Sequence, residues 1–311
     1  MVAVLAFLAT GCIRVPNPAG ANGIPDVSVT SPSPSPTSPD QPVMTPDHST
    51  RTPNQSPTTG SPAVESPVAS SPDAQLPNAA AAQSAVLVLG DSFAQGWGVA
   101  NRQAILESVW PGAISLAQTG VDTLDISSQL TEAADLIARG LVPTSVFISL
   151  GGNNLSFVDF AQNCIFSSCP ELGDIKPTLA TMTDELTDIY RQIDDLVNSP
   201  ELIAQRGYAA QIFVTDYPLL LSPDLNLTVG PVQVNVAATA AAQISEIQLA
   251  LNRAIAQAVA DAGSEHIQLI SVQDAFTGHR LGDATSFVSI TLHPNAQGFE
   301  TILTKVASAM G

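Results

Sequence analysis

Basic residues, cysteines and long apolar runs are all scarce in this chain of 311 residues. Ten lysines and arginines stand against 28 aspartates and glutamates, which gives a formal net charge of −18. A surface this acidic repels phosphate backbones, so nucleic acids and anionic lipid surfaces are poor candidate partners. The three cysteines argue against a structural zinc site, which usually takes four ligands rich in cysteine. The sequence also contains no internal repeat.

The amino-terminal segment, residues 1–12, carries an apolar run that is too short to span a bilayer but suits a secretion signal. It resembles a bacterial lipoprotein signal, in which small residues precede a cysteine that is lipidated after cleavage; here that residue is Cys12. We expect an extracytoplasmic protein, either secreted or anchored at the cell surface, with membrane attachment only through a lipidated Cys12. The alternative is an unprocessed terminus with an incidental cysteine.

Residues 13–84 form a segment rich in Pro, Ser and Thr. Fifteen of the 24 prolines of the chain lie between Pro16 and Pro77. Such a segment has few apolar groups to bury and few backbone N–H groups to donate, which predicts a disordered spacer. The remaining residues, 85–311, suffice for one α/β domain with a large core.

Short apolar runs alternate with helical patterns along residues 85–311. The runs cover Ala85–Leu89, Ile114–Ala117, Ser145–Leu150, Gln211–Thr215 and His266–Val272. Apolar residues recur at steps of three and four over 179–196 and 244–259, and a last helix is expected over 296–307. This alternation predicts an α/β fold in which helices cover both faces of a mostly parallel sheet of about five strands. Functional groups are then expected at the carboxyl ends of the strands.

Ser92 follows the first apolar run directly, in the triplet Gly90-Asp91-Ser92. An apolar run that ends in a glycine and a serine indicates a buried strand that stops at the rim of a sheet. If a helix begins after the turn, the serine lies near free N–H groups and the positive end of a helix dipole, which stabilise an oxyanion. Because the same triplet is ordinary turn chemistry, its partners decide the interpretation.

Three further candidates follow other predicted elements. Gly120 and Asn153 come after the second and third apolar runs. A glycine presents its N–H without a side chain in the way, and an asparagine amide offers two donor hydrogens, so both suit an oxyanion hole. Each taken alone also fits a loop residue with special backbone angles. His293 precedes Pro294, which restricts its backbone, so its imidazole would be held rigidly as a general base.

Cys164 and Cys169 lie five residues apart in a predicted loop. In an oxidising compartment such a pair favours a disulfide, and two free thiols are the alternative.

With Ser92, Gly120, Asn153 and His293 in this order, the chain resembles the GDSL, or SGNH, hydrolase family, whose four sequence blocks supply Ser, Gly, Asn and His. The resemblance covers residues 85–311 and implies a three-layer, flavodoxin-like domain. It also implies that Ser92 is the nucleophile, that Gly120 and Asn153 donate to the oxyanion together with the Ser92 N–H, and that His293 is the base. No metal or organic cofactor is expected.

Two positions depart from the pattern of the family. Asn154 replaces the aspartate of the third block, which leaves a loop-bracing carboxylate in doubt, and Ile290 stands where the family places the aspartate that orients the histidine. Because isoleucine has no side-chain acceptor, we expect a main-chain carbonyl of residues 289–291 to accept a hydrogen bond from the imidazole of His293. Asp283 is the alternative acceptor. The loss of an orienting acceptor can lower the rate by several orders of magnitude.

The sequence therefore predicts an exported, monomeric serine hydrolase of the esterase or lipase type. Its substrate would be a small-molecule, lipid or acylated-carbohydrate ester. A carbohydrate deacetylase or an acyltransferase of the same fold is the alternative within the enzymes. A non-catalytic surface-binding module is the alternative outside them, and Ile290 is the feature that favours it. Apolar residues at 219–221 and 225–234 either line an acyl pocket or belong to the core.

Overall fold

The structure, a computed structural model, describes residues 83–311 except 167–168, 170, 224, 230–231 and 237. The signal-like segment, Cys12 and the Pro-rich spacer up to residue 82 lie outside the described residues, while residues 83 and 84, which the sequence assigned to the spacer, begin the first strand.

Five parallel strands form the central sheet, and a two-stranded antiparallel hairpin stands apart from it. In chain order the strands are β1 (Gln83–Gly90), β2 (Ile114–Ser115), β3 (Leu141–Ser149), β4 (Gln211–Thr215), β5 (Asn226–Val229), β6 (Val232–Asn235) and β7 (Ile267–Ile270). The sheet has the order β2-β1-β3-β4-β7, while β5 pairs with β6. This is the doubly wound, flavodoxin-like order, and the predicted α/β fold with a parallel sheet of about five strands is confirmed.

Helices surround the sheet. They are α1 (Ser92–Gln95), α2 (Arg102–Val109), α3 (Ser127–Ala138), α4 (Phe157–Phe166), α5 (Leu172–Val197), α6 (Pro200–Arg206), α7 (Ala238–Ala262) and α8 (Ala296–Met310), with a 3₁₀ turn at Asn153–Leu155. Helix α5 packs against α7, and α2 packs against α8. The three helices expected from periodicity all lie within α5, α7 and α8. In the described part of the chain, no helix has the length and apolar character needed to cross a membrane.

Only β4 has the bounds predicted from the sequence, and the differences at β2 and β3 have a physical reason. The second strand contains only two residues at the edge of the sheet, although Leu116 still donates its N–H to the Val88 carbonyl at 2.8 Å. The third strand begins earlier than expected, at Leu141, in spite of Pro143. Proline has no N–H for the ladder, and the pairing of β1 with β3 shifts its register next to it, between Ala85 and Val86.

The core lies on the sheet and beneath the helices. Leu87, Phe147 and Val214, from the three middle strands, have no exposed surface. Leu219, Leu220 and Leu221, which the sequence assigned either to a pocket or to the core, are also buried.

The structure joins Cys164 and Cys169 in a disulfide, with their Cα atoms 4.4 Å apart. The bond links the carboxyl end of α4 to the segment just before α5.

Candidate active site

Ser92 is the first residue of α1 and lies immediately beyond the end of β1. The turn before it requires a glycine, because Gly90 has a φ of +113° and a Cβ there would stand 2.0 Å from the Ser149 carbonyl oxygen. The side-chain amide of Gln129, which is fully buried in α3, pairs with both backbone groups of Gly90 at 2.8 Å. Strand β3 and helix α3 thus hold the position of the serine.

His293 lies next to Ser92, although the two are 201 residues apart in sequence. Its Nε2 is 3.0 Å from the Ser92 Oγ, and its Nδ1 is 2.9 Å from the carbonyl oxygen of Thr291. A carbonyl can only accept a hydrogen bond, so Nδ1 carries the hydrogen and Nε2 is left to accept the serine proton. This arrangement is the one that a serine nucleophile needs from its base.

The main-chain carbonyl of Thr291 accepts the Nδ1 hydrogen of His293. This carbonyl belongs to the segment 289–291, in which the acceptor was expected. The side chain of Ile290 itself is 44% exposed, and Asp283 accepts a hydrogen bond from the Arg280 N–H at 2.7 Å instead. Between Thr291 and the histidine, Leu292 has a φ of +60°, which is uncommon for a residue other than glycine. The chain therefore turns tightly enough for a carbonyl to face an imidazole only two residues away.

Aromatic rings enclose the imidazole of His293. The ring centroid of Trp97 is 4.5 Å away and that of Phe93 is 5.6 Å away. Burial lowers the pKa of His293 from its ordinary value, and the hydrogen bond to the Thr291 carbonyl opposes this effect only in part. The imidazole is therefore neutral at neutral pH, as a general base must be.

Gly120 is held next to the turn that carries Ser92. The hydroxyl of Thr119 donates to the side chain of Gln95 at the end of α1, and the residue before Thr119 donates its N–H to the Gly90 carbonyl at 3.0 Å. Gly120 has a φ of +82° and is exposed. Neither its N–H nor that of Ser92 donates to another group among the described residues. Both N–H groups are thus available to a ligand.

Asn153 begins the 3₁₀ turn after β3 and lines the same cavity as Ser92. Its Nδ2 donates to the carbonyl of Val121, the residue after Gly120, at 2.7 Å. An amide nitrogen has two hydrogens, so this bond orients the side chain and leaves the second hydrogen for a ligand. The three donors can together form an oxyanion hole.

Asn154 braces the two loops that carry Gly120 and Asn153. Its amide donates to the Thr123 hydroxyl and accepts the Thr123 N–H at 3.3 Å, and the same hydroxyl donates to Glu185 of α5. An amide can make both bonds to Thr123, whereas a carboxylate can only accept. Replacement of the usual aspartate therefore keeps a brace at this position.

A buried pair, Asp91 and Tyr217, connects the elements of the site and was not predicted as functional from the sequence. The Tyr217 hydroxyl donates to Asp91 and accepts the Gly152 N–H at 2.9 Å. The other carboxylate oxygen of Asp91 caps α1 by accepting the Phe93 N–H at 2.9 Å. Burial raises the pKa of Asp91 to about 6 and raises the pKa of Tyr217 well above its ordinary value.

Tyr217 thereby joins the helix of Ser92 to the turn of Asn153. The sequence offered one signal for it, a position just after a predicted strand, but this signal does not say which partner the hydroxyl reaches. Gln129 offered no signal, because a glutamine in a helical pattern is usually exposed.

The other two histidines of the described domain lie elsewhere. His266 places its Nδ1 3.0 Å from Asp194, and His279 places its Nδ1 2.9 Å from the Thr285 carbonyl and stacks on Phe287. Within the described residues, no three His, Cys, Asp or Glu side chains are grouped so that they could hold a metal ion.

Comparison with known proteins matches the chain to the GDSL-like Lipase/Acylhydrolase family over residues 88–300. Comparison with curated proteins gave no match. Among solved structures, the chain is similar to an extracellular lipase from Streptomyces rimosus, with 21% identity and a TM-score of 0.49 over 73% of this chain and 100% of the lipase.

A phospholipase A1 from Streptomyces albidoflavus NA297 shows 22% identity and a TM-score of 0.48, over 73% of this chain and 99% of that protein. An acetylxylan esterase from Geobacillus stearothermophilus shows 15% identity and a TM-score of 0.43, over 74% and 95%. The family match spans well over half of the chain and includes the positions of Ser92, Gly120, Asn153 and His293. The chain therefore belongs to the GDSL-like lipase/acylhydrolase family and is a hydrolase.

Proposed function

We propose that this protein is a serine esterase that cleaves carboxylic esters. The observation that carries the proposal is the 3.0 Å contact between the Ser92 Oγ and the His293 Nε2, with the Nδ1 of the same ring bonded to the Thr291 carbonyl. This geometry leaves one nitrogen free to accept the proton of the nucleophile.

The reaction follows from these positions. As the Ser92 Oγ attacks the ester carbonyl, the His293 Nε2 takes its proton, and the oxyanion is held by the Ser92 N–H, the Gly120 N–H and the Asn153 amide. The imidazolium then protonates the departing alcohol oxygen, and an acyl-serine remains. A water molecule gives its proton to His293 and attacks the acyl group, which releases the acid and restores the hydroxyl of Ser92.

The Thr291 carbonyl also bears on the rival proposal of a binding module. That proposal rested on the missing acceptor at Ile290. Because a backbone carbonyl faces Nδ1 instead, the histidine keeps its orientation without a carboxylate. This favours an enzyme over a module that has lost the reaction.

The test is ester hydrolysis by the full chain with a p-nitrophenyl ester. We expect Ser92→Ala to lower kcat at least about a thousandfold, since the nucleophile is lost. Ser308→Ala is the matched control, because this exposed hydroxyl of α8 bonds, within the described part of the chain, only to the Thr304 carbonyl of its own helix. A fluorophosphonate probe should label Ser92 in the wild type. Equal hydrolysis by the wild type and Ser92→Ala would refute the proposal.

We further propose that the chain is exported and anchored by a lipid on Cys12, so that the Pro-rich segment displays the domain away from the membrane. Fractionation of a bacterium that expresses the full chain tests this. The wild type should appear in the membrane fraction, and Cys12→Ala should move it to the soluble extracytoplasmic fraction. Cytoplasmic recovery of the wild type would contradict export.

A further inference from the structure

The cavity that holds Ser92 and Asn153 has mainly apolar walls. Those walls include the side chains of Phe93, Phe157, Val158, Leu220 and Leu251. Because Ser92 and Asn153 line the same space as these side chains, a group attached to the carbonyl under attack has an apolar surface directly beside it.

The other polar side chains that line this cavity are already bonded to the protein. Gln248 accepts the Leu220 N–H at 3.3 Å and donates to the Pro218 carbonyl. The Tyr217 hydroxyl and Asp91 are bonded to each other. A sugar hydroxyl would compete with these bonds, whereas a hydrocarbon chain would leave them intact.

The cavity is also small. The free volume inside it is about 20 Å³, which is room for roughly one water molecule. Pockets for drug-sized ligands measure roughly 300–1,000 Å³, so this cavity takes only the first carbons of a chain. Leu220 and Leu251 are each only 1% exposed, and Phe157 is 7% exposed. These walls are therefore part of the packed core and do not yield without disturbing it.

Phe157 is fixed with respect to the oxyanion donors. It is the first residue of α4, and its N–H donates to the Gly152 carbonyl at 3.1 Å, directly before Asn153. The disulfide between Cys164 and Cys169 ties down the other end of the same helix. The ring of Phe157 thus forms a wall at a set distance from the reacting carbonyl.

We propose that this cavity binds the first carbons of the acyl chain of the ester, that it favours short chains such as acetyl, and that Phe157 limits their length. The inference rests on the proposed esterase function and names the acyl specificity of the same site. The alcohol part of the substrate lies outside this cavity.

The test compares kcat/KM of the full chain on p-nitrophenyl acetate, butyrate and octanoate. The wild type should prefer acetate or butyrate to octanoate. Phe157→Ala should raise the octanoate-to-butyrate ratio of kcat/KM by about tenfold or more. Each further methylene of the substrate that packs in an apolar pocket raises kcat/KM by roughly that factor. Ile165→Ala is the control: it removes an apolar side chain from the same helix, at a half-buried position that does not line the cavity. Phe157→Leu serves if the alanine variant does not fold.

A wild type that prefers octanoate, or folded Phe157 variants with an unchanged ratio, would overturn the acyl-length inference and leave the esterase intact. A wild type that hydrolyses none of the three esters would overturn the proposed function itself.

Discussion

A neutral carbonyl, that of Thr291, orients His293 where the pattern of the family has a carboxylate. A carbonyl dipole fixes the tautomer of the imidazole, but it stabilises the imidazolium less than a full negative charge does. Burial of the ring lowers the pKa of His293, and the carbonyl raises it again only in part. The base therefore stays neutral over a wide pH range.

The pH profile of kcat/KM should therefore have its acid limb below the ordinary histidine value of 6.5. The base works only when it is neutral, so activity rises as pH increases through the pKa of the free enzyme and then levels off. Because burial raises the pKa of Asp91 to about 6, the profile should also be measured for Asp91→Asn. A limb that persists in this variant belongs to His293. A limb above pH 7 in the wild type would contradict the lowered pKa.

Asn153→Ala should reduce kcat by roughly a hundred- to a thousandfold with little change in KM, because the donor acts on the oxyanion and hardly on the bound ester. Asn101→Ala removes the same amide from an exposed position where it caps nothing, and it should match the wild type. Steady-state kinetics on one ester decides between the two outcomes. Near-normal turnover in Asn153→Ala would remove this residue from the oxyanion hole.

Side-chain hydrogen bonds connect the segments that follow three of the strands. Asp91 follows β1, Gly152 follows β3 and Tyr217 follows β4, and the Tyr217 hydroxyl bonds to both of the others. Gln129 of α3 adds the bonds to Gly90. These contacts determine how the helix of Ser92 sits against the neighbouring turns, although none of the four residues reacts in the mechanism.

Tyr217→Phe should lower kcat about tenfold while KM stays nearly constant, because the helix of Ser92 and the turn of Asn153 lose their common tie. The buried oxygen of Asp91 and the Gly152 N–H both lose a partner, which costs about 1–3 kcal/mol of the free energy of unfolding for each. Tyr208→Phe, at a side chain that is 52% exposed, is the control. Kinetics and urea unfolding are measured on the same samples. A loss of stability with kcat unchanged would make Tyr217 purely structural.

The domain as a whole combines a large packed core with one short covalent closure. The disulfide spans only five residues, so its effect on the unfolded chain is modest. In the loop-entropy account, a closure of this size stabilises the fold by about 2 kcal/mol.

The double variant Cys164→Ser with Cys169→Ser should accordingly lose about 2 kcal/mol in urea unfolding. A reductant should destabilise the wild type by a similar amount and leave the double variant unchanged. Mass spectrometry of protein recovered from an oxidising compartment should show the two sulfurs joined. Two free thiols in that material would contradict the bond.

Local patterns in the chain were enough to predict the parallel sheet. They were also enough to predict that Ser92 and His293 lie at the rim of this sheet. Apolar periodicity and turn signals depend on neighbouring residues, and parallel strands place their carboxyl ends at one edge. Local patterns did not predict the lengths of β2 and β3, because these lengths depend on pairing with β1. They also did not predict the hairpin of β5 and β6, whose residues were expected either to line a pocket or to belong to the core.

Contacts between distant residues were beyond those patterns. Gln129 reaches Gly90 across 39 residues, and Tyr217 reaches Asp91 across 126. The direction of the Thr291 carbonyl depends on the left-handed turn at Leu292, a residue type that gives no sign of it. Such features arise from side-chain directions and packing after the chain has folded. The order of residues therefore located Ser92 and His293, the proposed nucleophile and base, while tertiary packing set how they are oriented.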